Sequence, residues 1–112
     1  VRRTILALCA VLVFAGSGEI ERPLIVGAKG FAEQRITAEL VAQTLRAHGI
    51  PAELDPTPRD TLQMLRALRQ AEIDVYVEYT GSALAMAGVP PIHDVDESLA
   101  AAEAEAAAFG LT

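Results

Sequence analysis

The chain has 112 residues, a formal net charge of −6 and a mean hydropathy of +0.32. At this length one small domain is the natural upper limit. The acidic balance argues against nucleic-acid binding, which needs a basic surface for the phosphates. Cys9 is the single cysteine and cannot pair within the chain, so a disulfide scaffold is excluded.

The N-terminus predicts a secretory signal peptide over residues 1–17, with cleavage near residues 15–18. Arg2 and Arg3 supply positive charge, and residues 4–16 carry none. This run is shorter than the roughly 20 residues that span a bilayer as a helix. It matches the apolar segment of a signal peptide, and Cys9 inside it would be lost on cleavage. The alternative is a buried N-terminal strand or helix. We therefore expect an exported protein, periplasmic or at the extracellular face of the cytoplasmic membrane.

After a linker over residues 18–22, residues 23–112 predict an α/β lobe. The order is β-α-β-α-β-α-α, which is typical of a parallel sheet with right-handed crossovers. The predicted strands are residues 23–28, 50–54 and 73–79. The predicted helices are residues 31–48, residues 61–71, a short helix ending near residue 88, and residues 94–109.

Apolar spacing predicts which helix faces meet the core. In the first helix these residues are Ile36, Leu40, Val41, Thr44 and Leu45. In the second helix they are Leu62, Leu65, Leu68 and Met64.

Polar residues and glycine mark the helix ends. Gly49 predicts the end of the first helix. Thr57 or Asp60 is expected to cap the second helix, and Asp94 or Asp96 the last one.

Two segments follow predicted strands at the edge where open α/β sheets bind ligands. The first is residues 27–31, where Gly27 and Gly30 allow close backbone approach and Lys29, the only lysine, supplies positive charge. The alternative is a tight turn with a solvated lysine. The segment lacks the glycine pattern of a P-loop or of a dinucleotide fingerprint.

The second segment is residues 78–82. The ring of Tyr79 suits a quaternary ammonium group, since cation–π attraction is worth about 0.5–2 kcal/mol. Ser82 is expected either to donate to an anion or to cap the next helix. Tyr79 has a structural alternative as a tyrosine at the edge of the core. Tyr76 is expected to pack under a helix.

Catalytic and metal sites have little support. Asp74 and Glu78 share one strand face, but no nucleophile or histidine stands beside them. A structural or helix-capping role is the better interpretation of these carboxylates. His48 and His93 lie far apart, with no cysteine partner in the exported part. The sequence therefore predicts no enzyme, no catalytic residue, no metal and no cofactor.

Two blocks resemble a known family. Residues 25–34 (IVGAKGFAEQ) resemble the block VGSKNFTEQ, and residues 72–84 (EIDVYVEYTGSAL) resemble GEIDLYPEYTGTAL. The tail, residues 109–112 (FGLT), is similar to the start of YGLTWL. These blocks belong to substrate-binding proteins of glycine betaine/choline (osmoprotectant) ABC transporters.

The resemblance implies a type II periplasmic-binding-protein-like fold, in which two α/β lobes close on a ligand. It also implies delivery of that ligand to a membrane permease and its ATPase. By resemblance, Lys29 and Ser82 contact the ligand carboxylate, and Tyr79 forms one wall of an aromatic cage. The further cleft residues that it implies are Gly30, Phe31 and Gln34.

Some positions depart from the family pattern. Ala32 and Ser82 stand where the family often has threonine, and residues 56–60 replace a glycine-rich loop. The exported part also holds few aromatic rings. We therefore expect the opening, incomplete portion of a two-lobed binder. The alternatives are a truncated fragment that binds nothing and a small α/β enzyme that uses Lys29 on a phosphate or carboxylate substrate.

Overall fold

The computed structural model describes residues 22–112, so the predicted signal peptide lies outside the described residues. The described chain forms two compact units, residues 22–78 and residues 79–112. Among these residues, no helix combines the length and apolar character that crossing a bilayer requires. The first unit contains β1 (Leu24–Gly27), α1 (Ala32–Ala47), β2 (Ala52–Leu54), α2 (Thr61–Arg69) and β3 (Val75–Tyr76). The second contains α3 (Thr80–Met86) and α4 (Val95–Ala108).

The three strands form a parallel sheet with β1 in the centre, in the order β2-β1-β3. Val26 of the central strand pairs with both neighbouring strands: it lies opposite Leu54 of β2 on one side and Val75 of β3 on the other. The predicted α/β class and parallel sheet are confirmed.

Alternate residues of β1 point to opposite faces of the sheet. Val26 is fully buried with Ala38 and Ala42 of α1. On the other face, Ile25 packs against the buried cluster that contains Met64 of α2. The two helices therefore cover opposite faces of the sheet.

The predicted core face of α1 is partly wrong. Ile36 is 62% exposed and Leu40 is 58% exposed, whereas Ala38 and Ala42 are buried. Val41 and Leu45 do pack against the core, as predicted. Small side chains let the helix axis approach the sheet closely, so alanines occupy the contact although leucine and isoleucine are more hydrophobic.

The core face of α2 is also shifted from the prediction. Met64 and Ala67 are buried and Leu68 packs beside them, but Leu62 is 65% exposed. Met64 is the most completely buried of the predicted core residues of α1 and α2. Its long, flexible side chain fills the space above β1.

The helix ends agree with the sequence. Asp60 caps α2 in a capping box: its carboxylate accepts from the Gln63 backbone N–H, and the Gln63 side chain accepts from the Asp60 backbone. Asp94 caps α4 by accepting from the backbone N–H of Glu97. Gly49 follows α1 with a φ of +77°, a left-handed conformation that favours glycine.

Strand β3 is shorter than predicted. Ile73 is buried in the core cluster beside α2, but it lies before the strand begins. Beyond Tyr76 the backbone carbonyl of Val77 accepts from the Gln34 side chain, at 3.0 Å, and not from a strand. The ladder ends here because β1 ends at Gly27, opposite Tyr76.

The second unit is a pair of helices. Leu84 of α3 and Ala102 of α4 are among its buried residues. Gly88 and Gly110 follow the two helices with φ values of +72° and +75°.

Candidate functional site

Lys29 lies just after β1, and its side chain is buried. Its ammonium forms an ion pair with Glu78, which follows β3, and the two side chains are 6% and 16% exposed. The hydroxyl of Tyr76 donates to the other carboxylate oxygen of Glu78 at 3.1 Å. We call these three residues the Lys29–Glu78–Tyr76 cluster. The alternative of a solvated lysine is wrong.

The cluster occupies the carboxyl ends of two adjacent strands. The chain runs from β1 to β2 on one side and then returns past β1 to β3 on the other side. Parallel α/β sheets bind ligands where the strand order reverses in this way, at the carboxyl edge. Lys29 and Glu78 therefore lie at a position suited to ligand binding.

The environment of Tyr76 keeps its hydroxyl protonated. Burial raises the pKa of the Tyr76 phenol, and the negative charge of Glu78 and the hydrogen bond to it raise the pKa further. The tyrosine ring also packs against the core cluster beside α2, as predicted. Tyr76 is therefore a fixed hydrogen-bond donor to Glu78.

Gln34 connects the two strand ends. It lies in the first turn of α1 and is 1% exposed. Its Nε2 donates to the carbonyl of Val77 at 3.0 Å, and its Oε1 accepts from the backbone N–H of Lys29 at 3.4 Å. The side-chain amide thus holds the segment after β1 against the segment after β3.

Gly30 and Phe31 complete the segment between β1 and α1. Both are exposed, and Phe31 is the N-cap residue of α1, with no cap hydrogen bond from its side chain. A Cβ added to Gly30 would make only an ordinary contact, 3.6 Å from Cβ of Pro58. Packing therefore does not require glycine at this position.

A cavity of about 390 Å³ opens beside this segment. Its size falls within the range of about 300–1,000 Å³ that is usual for small-molecule sites. Lys29 and Gly30 line one side, Arg35 lies at the start of α1, and residues 54–58 line the other side.

The loop after β2 is held by charges that the sequence analysis did not identify. Asp55 and Arg59 form an ion pair with side chains that are 10% and 14% exposed. Arg59 also binds Glu72 at 3.1 Å, and its backbone forms a parallel bridge with Lys29. The spacing of four residues between Asp55 and Arg59 was the only available signal, and it is informative only within a helix.

Asp74 has a structural role, as the sequence predicted. Its two carboxylate oxygens each accept from a terminal nitrogen of Arg22 at 2.7 Å, and one also accepts from the backbone of Ile25. The hydrogen bonds from Arg22 hold the pKa of Asp74 below its usual value, although burial opposes this shift. Asp74 therefore joins the beginnings of β1 and β3.

Tyr79 and Ser82 belong to the second unit. Tyr79 is the N-cap residue of α3, is 36% exposed, and its side chain makes no cap hydrogen bond. Ser82 lies within the helix and is half-buried. The alternative in which Ser82 caps this helix is therefore wrong. The ligand contacts of Tyr79 and Ser82 stay predictions, as do those of Lys29, Gly30, Phe31 and Gln34.

No metal site is found within residues 22–112, where no three acidic, histidine or cysteine side chains are grouped to hold an ion. His48 follows α1, and its Nδ1 lies 2.8 Å from the carbonyl oxygen of Thr44. His48 thus makes a structural contact at the end of α1.

The sheet, its helices on both faces and the polar cluster at its carboxyl edge define a lobe of the periplasmic-binding-protein-like class. A family model described as the substrate binding domain of the ABC-type glycine betaine transport system matches residues 22–110. The chain belongs to this family. It is a family of solute-binding domains rather than of enzymes. The resemblance predicted from residues 25–34 and 72–84 is confirmed.

The chain is also similar to a glycine-betaine-binding protein of Pseudomonas aeruginosa. The two are 34% identical over 100 residues, a match that covers 89% of this chain and 30% of the relative. The chain thus spans less than a third of the length of this relative.

Proposed function

We propose that this protein binds a quaternary ammonium osmoprotectant, such as glycine betaine or choline, for delivery to an ABC permease and its ATPase. The observation that carries the proposal is the family match over residues 22–110. The predicted signal peptide over residues 1–17 agrees with it, because substrate-binding proteins of importers act outside the cytoplasmic membrane. The proposal requires no cofactor, no nucleic acid and no catalytic step.

The proposed carboxylate contacts are Lys29 and Ser82. The position of Lys29 just after the carboxyl end of β1 supports its role, since ligands bind at this edge of parallel sheets. Its ammonium is held by Glu78, so the charge has a fixed position before a ligand arrives.

The proposed contact for the ammonium group is the ring of Tyr79. The side chain is 36% exposed, which leaves ring surface for a ligand. A trimethylammonium group binds the face of an aromatic ring through cation–π attraction. Gly30, Phe31 and Gln34 are proposed to line the cleft.

A second candidate is a segment that does not bind ligand by itself. It is favoured by the small number of aromatic rings, because a cage needs several. Residues 22–112 contain only Phe31, Tyr76, Tyr79 and Phe109. Of these, Tyr76 is engaged with Glu78 and the core.

Calorimetric titration of the purified chain with glycine betaine and with choline separates the two candidates. The proposal predicts saturable heat of binding. Tyr79→Ala should abolish binding or raise the dissociation constant by about tenfold or more, which corresponds to about 1.4 kcal/mol of binding free energy. Phe109→Ala is the matched control, since it removes a ring that is exposed to a similar degree at the end of α4. Absence of heat with millimolar ligand favours the non-binding segment.

A further inference from the structure

Glu78 links the other two members of the Lys29–Glu78–Tyr76 cluster. Its carboxylate pairs with the Lys29 ammonium and accepts from the Tyr76 hydroxyl at 3.1 Å. Both charged side chains are largely buried, at 6% and 16% exposure. The charge of Glu78 therefore acts on Lys29 with little screening by solvent.

The two candidate ligands differ in net charge. Glycine betaine carries an ammonium and a carboxylate and is neutral overall, whereas choline carries an ammonium and a hydroxyl and has a charge of +1. A buried lysine without a counter-charge would attract the carboxylate of glycine betaine and repel choline. Paired with Glu78, the lysine belongs to an ion pair with no net charge.

We infer that Glu78 determines the ligand-charge preference of the proposed site, because it cancels the positive charge of Lys29 and so lets a cationic ligand bind beside it. The inference rests on the proposed function. Glu78 acts here through Lys29, as a specificity-determining residue that need not touch the ligand. The hydrogen bond from Tyr76 keeps the carboxylate oriented toward the ammonium.

The test compares the dissociation constants of choline and glycine betaine for the natural chain and for Glu78→Gln. Glutamine keeps the size of the side chain and one accepting oxygen but removes the charge. The ratio of the choline constant to the glycine betaine constant is expected to rise by about tenfold or more. Glu53→Gln, on the exposed face of β2, makes the same change in net charge and should leave the ratio within about twofold.

A second pair of variants keeps the test valid if the chain does not fold when Glu78→Gln removes the charge opposite Lys29. Lys29→Met removes the positive charge and keeps the negative charge of Glu78, so the ratio of the choline constant to the glycine betaine constant should fall below that of the natural chain. Lys29→Met/Glu78→Gln removes both charges, and its ratio should rise above that of Lys29→Met. A purely structural role for Glu78 would weaken both ligands equally and would not move the ratio.

The outcomes separate this inference from the proposed function. If the natural chain binds neither ligand, both fail. If it binds and the ratio does not change in either pair of variants, the role of Glu78 is overturned while the proposed function stands. An equal change in Glu53→Gln also overturns it, because the effect would then come from net charge alone.

Discussion

Arg22 and Asp74 join the start of β1 to the residue before β3 through two parallel hydrogen bonds of 2.7 Å. The same carboxylate also accepts from the backbone N–H of Ile25 at 2.8 Å. Two segments that are 52 residues apart in sequence are thus held together beside the central strand.

The pH dependence of stability should reveal this pair. The pKa of Asp74 is lowered in the folded chain, chiefly by hydrogen bonding to Arg22. The stabilisation is therefore present above the unfolded-state pKa, about 3.9, and is lost as the pH falls through the folded value. Asp74→Asn should lower the free energy of unfolding at pH 7, and the difference from the natural chain should shrink as the pH falls below about 4. Urea unfolding at several pH values measures this. A difference that does not depend on pH would contradict the account, and Glu53→Gln is the control.

Gly27 lies close against the core beside α2. An added Cβ would lie 2.6 Å from Cε of Met64 and 2.8 Å from Cδ1 of Ile73. Both contacted atoms are at the ends of side chains, but these side chains are buried and have little room to move. Gly27→Ala should destabilise the chain by about 1 kcal/mol or more in urea unfolding. Gly30→Ala is the control. If Gly30→Ala lowered the free energy of unfolding as much as Gly27→Ala does, the crowding at Gly27 would not explain the effect.

The ion pair of Asp55 and Arg59 should contribute more coupling energy than the contact between Arg59 and Glu72. Asp55 and Arg59 are 10% and 14% exposed, whereas Glu72 is 52% exposed. Charges shielded from solvent interact more strongly than exposed charges, and exposed pairs contribute under about 1 kcal/mol. Double-mutant cycles with Asp55→Asn, Glu72→Gln and Arg59→Met measure the two couplings. Equal couplings would contradict the burial of the first pair.

Ala71 has a φ of +57°, in the left-handed region that glycine adopts without strain. The residue is exposed and lies between α2 and β3. Ala71→Gly should therefore stabilise the chain by about 0.5–1 kcal/mol. The strain energy that glycine removes from the folded chain exceeds the free-energy cost of the greater conformational entropy that glycine gives the unfolded chain. Ala104→Gly, at an exposed position inside α4, should destabilise by about 1 kcal/mol. Thermal unfolding of both variants checks the opposite signs.

Most elements could be predicted from the sequence because their signals are local. The caps at Asp60 and Asp94 and the stop at Gly49 depend on residues a few positions away. The apolar run of β1 between Pro23 and Gly27 predicts a buried strand for the same reason.

The features that could not be predicted depend on distant residues. The ion pair of Lys29 with Glu78 joins positions 49 residues apart, and no local pattern indicates that the lysine is buried. The sheet-facing side of α1 is set by how closely the helix approaches β1, which favours Ala38 and Ala42 over Ile36. The short β3 results from the end of its neighbouring strand at Gly27.

The central claim is that a quaternary ammonium ligand binds at the carboxyl edge of the sheet. Amide chemical shifts of the ¹⁵N-labelled chain, recorded during titration with glycine betaine, test it most directly. The account predicts saturable shifts at Lys29, Gly30, Phe31 and Gln34, with Glu53 and Ala104 unchanged. No shift up to millimolar ligand, or shifts confined to residues away from the segments that follow β1 and β3, would contradict it.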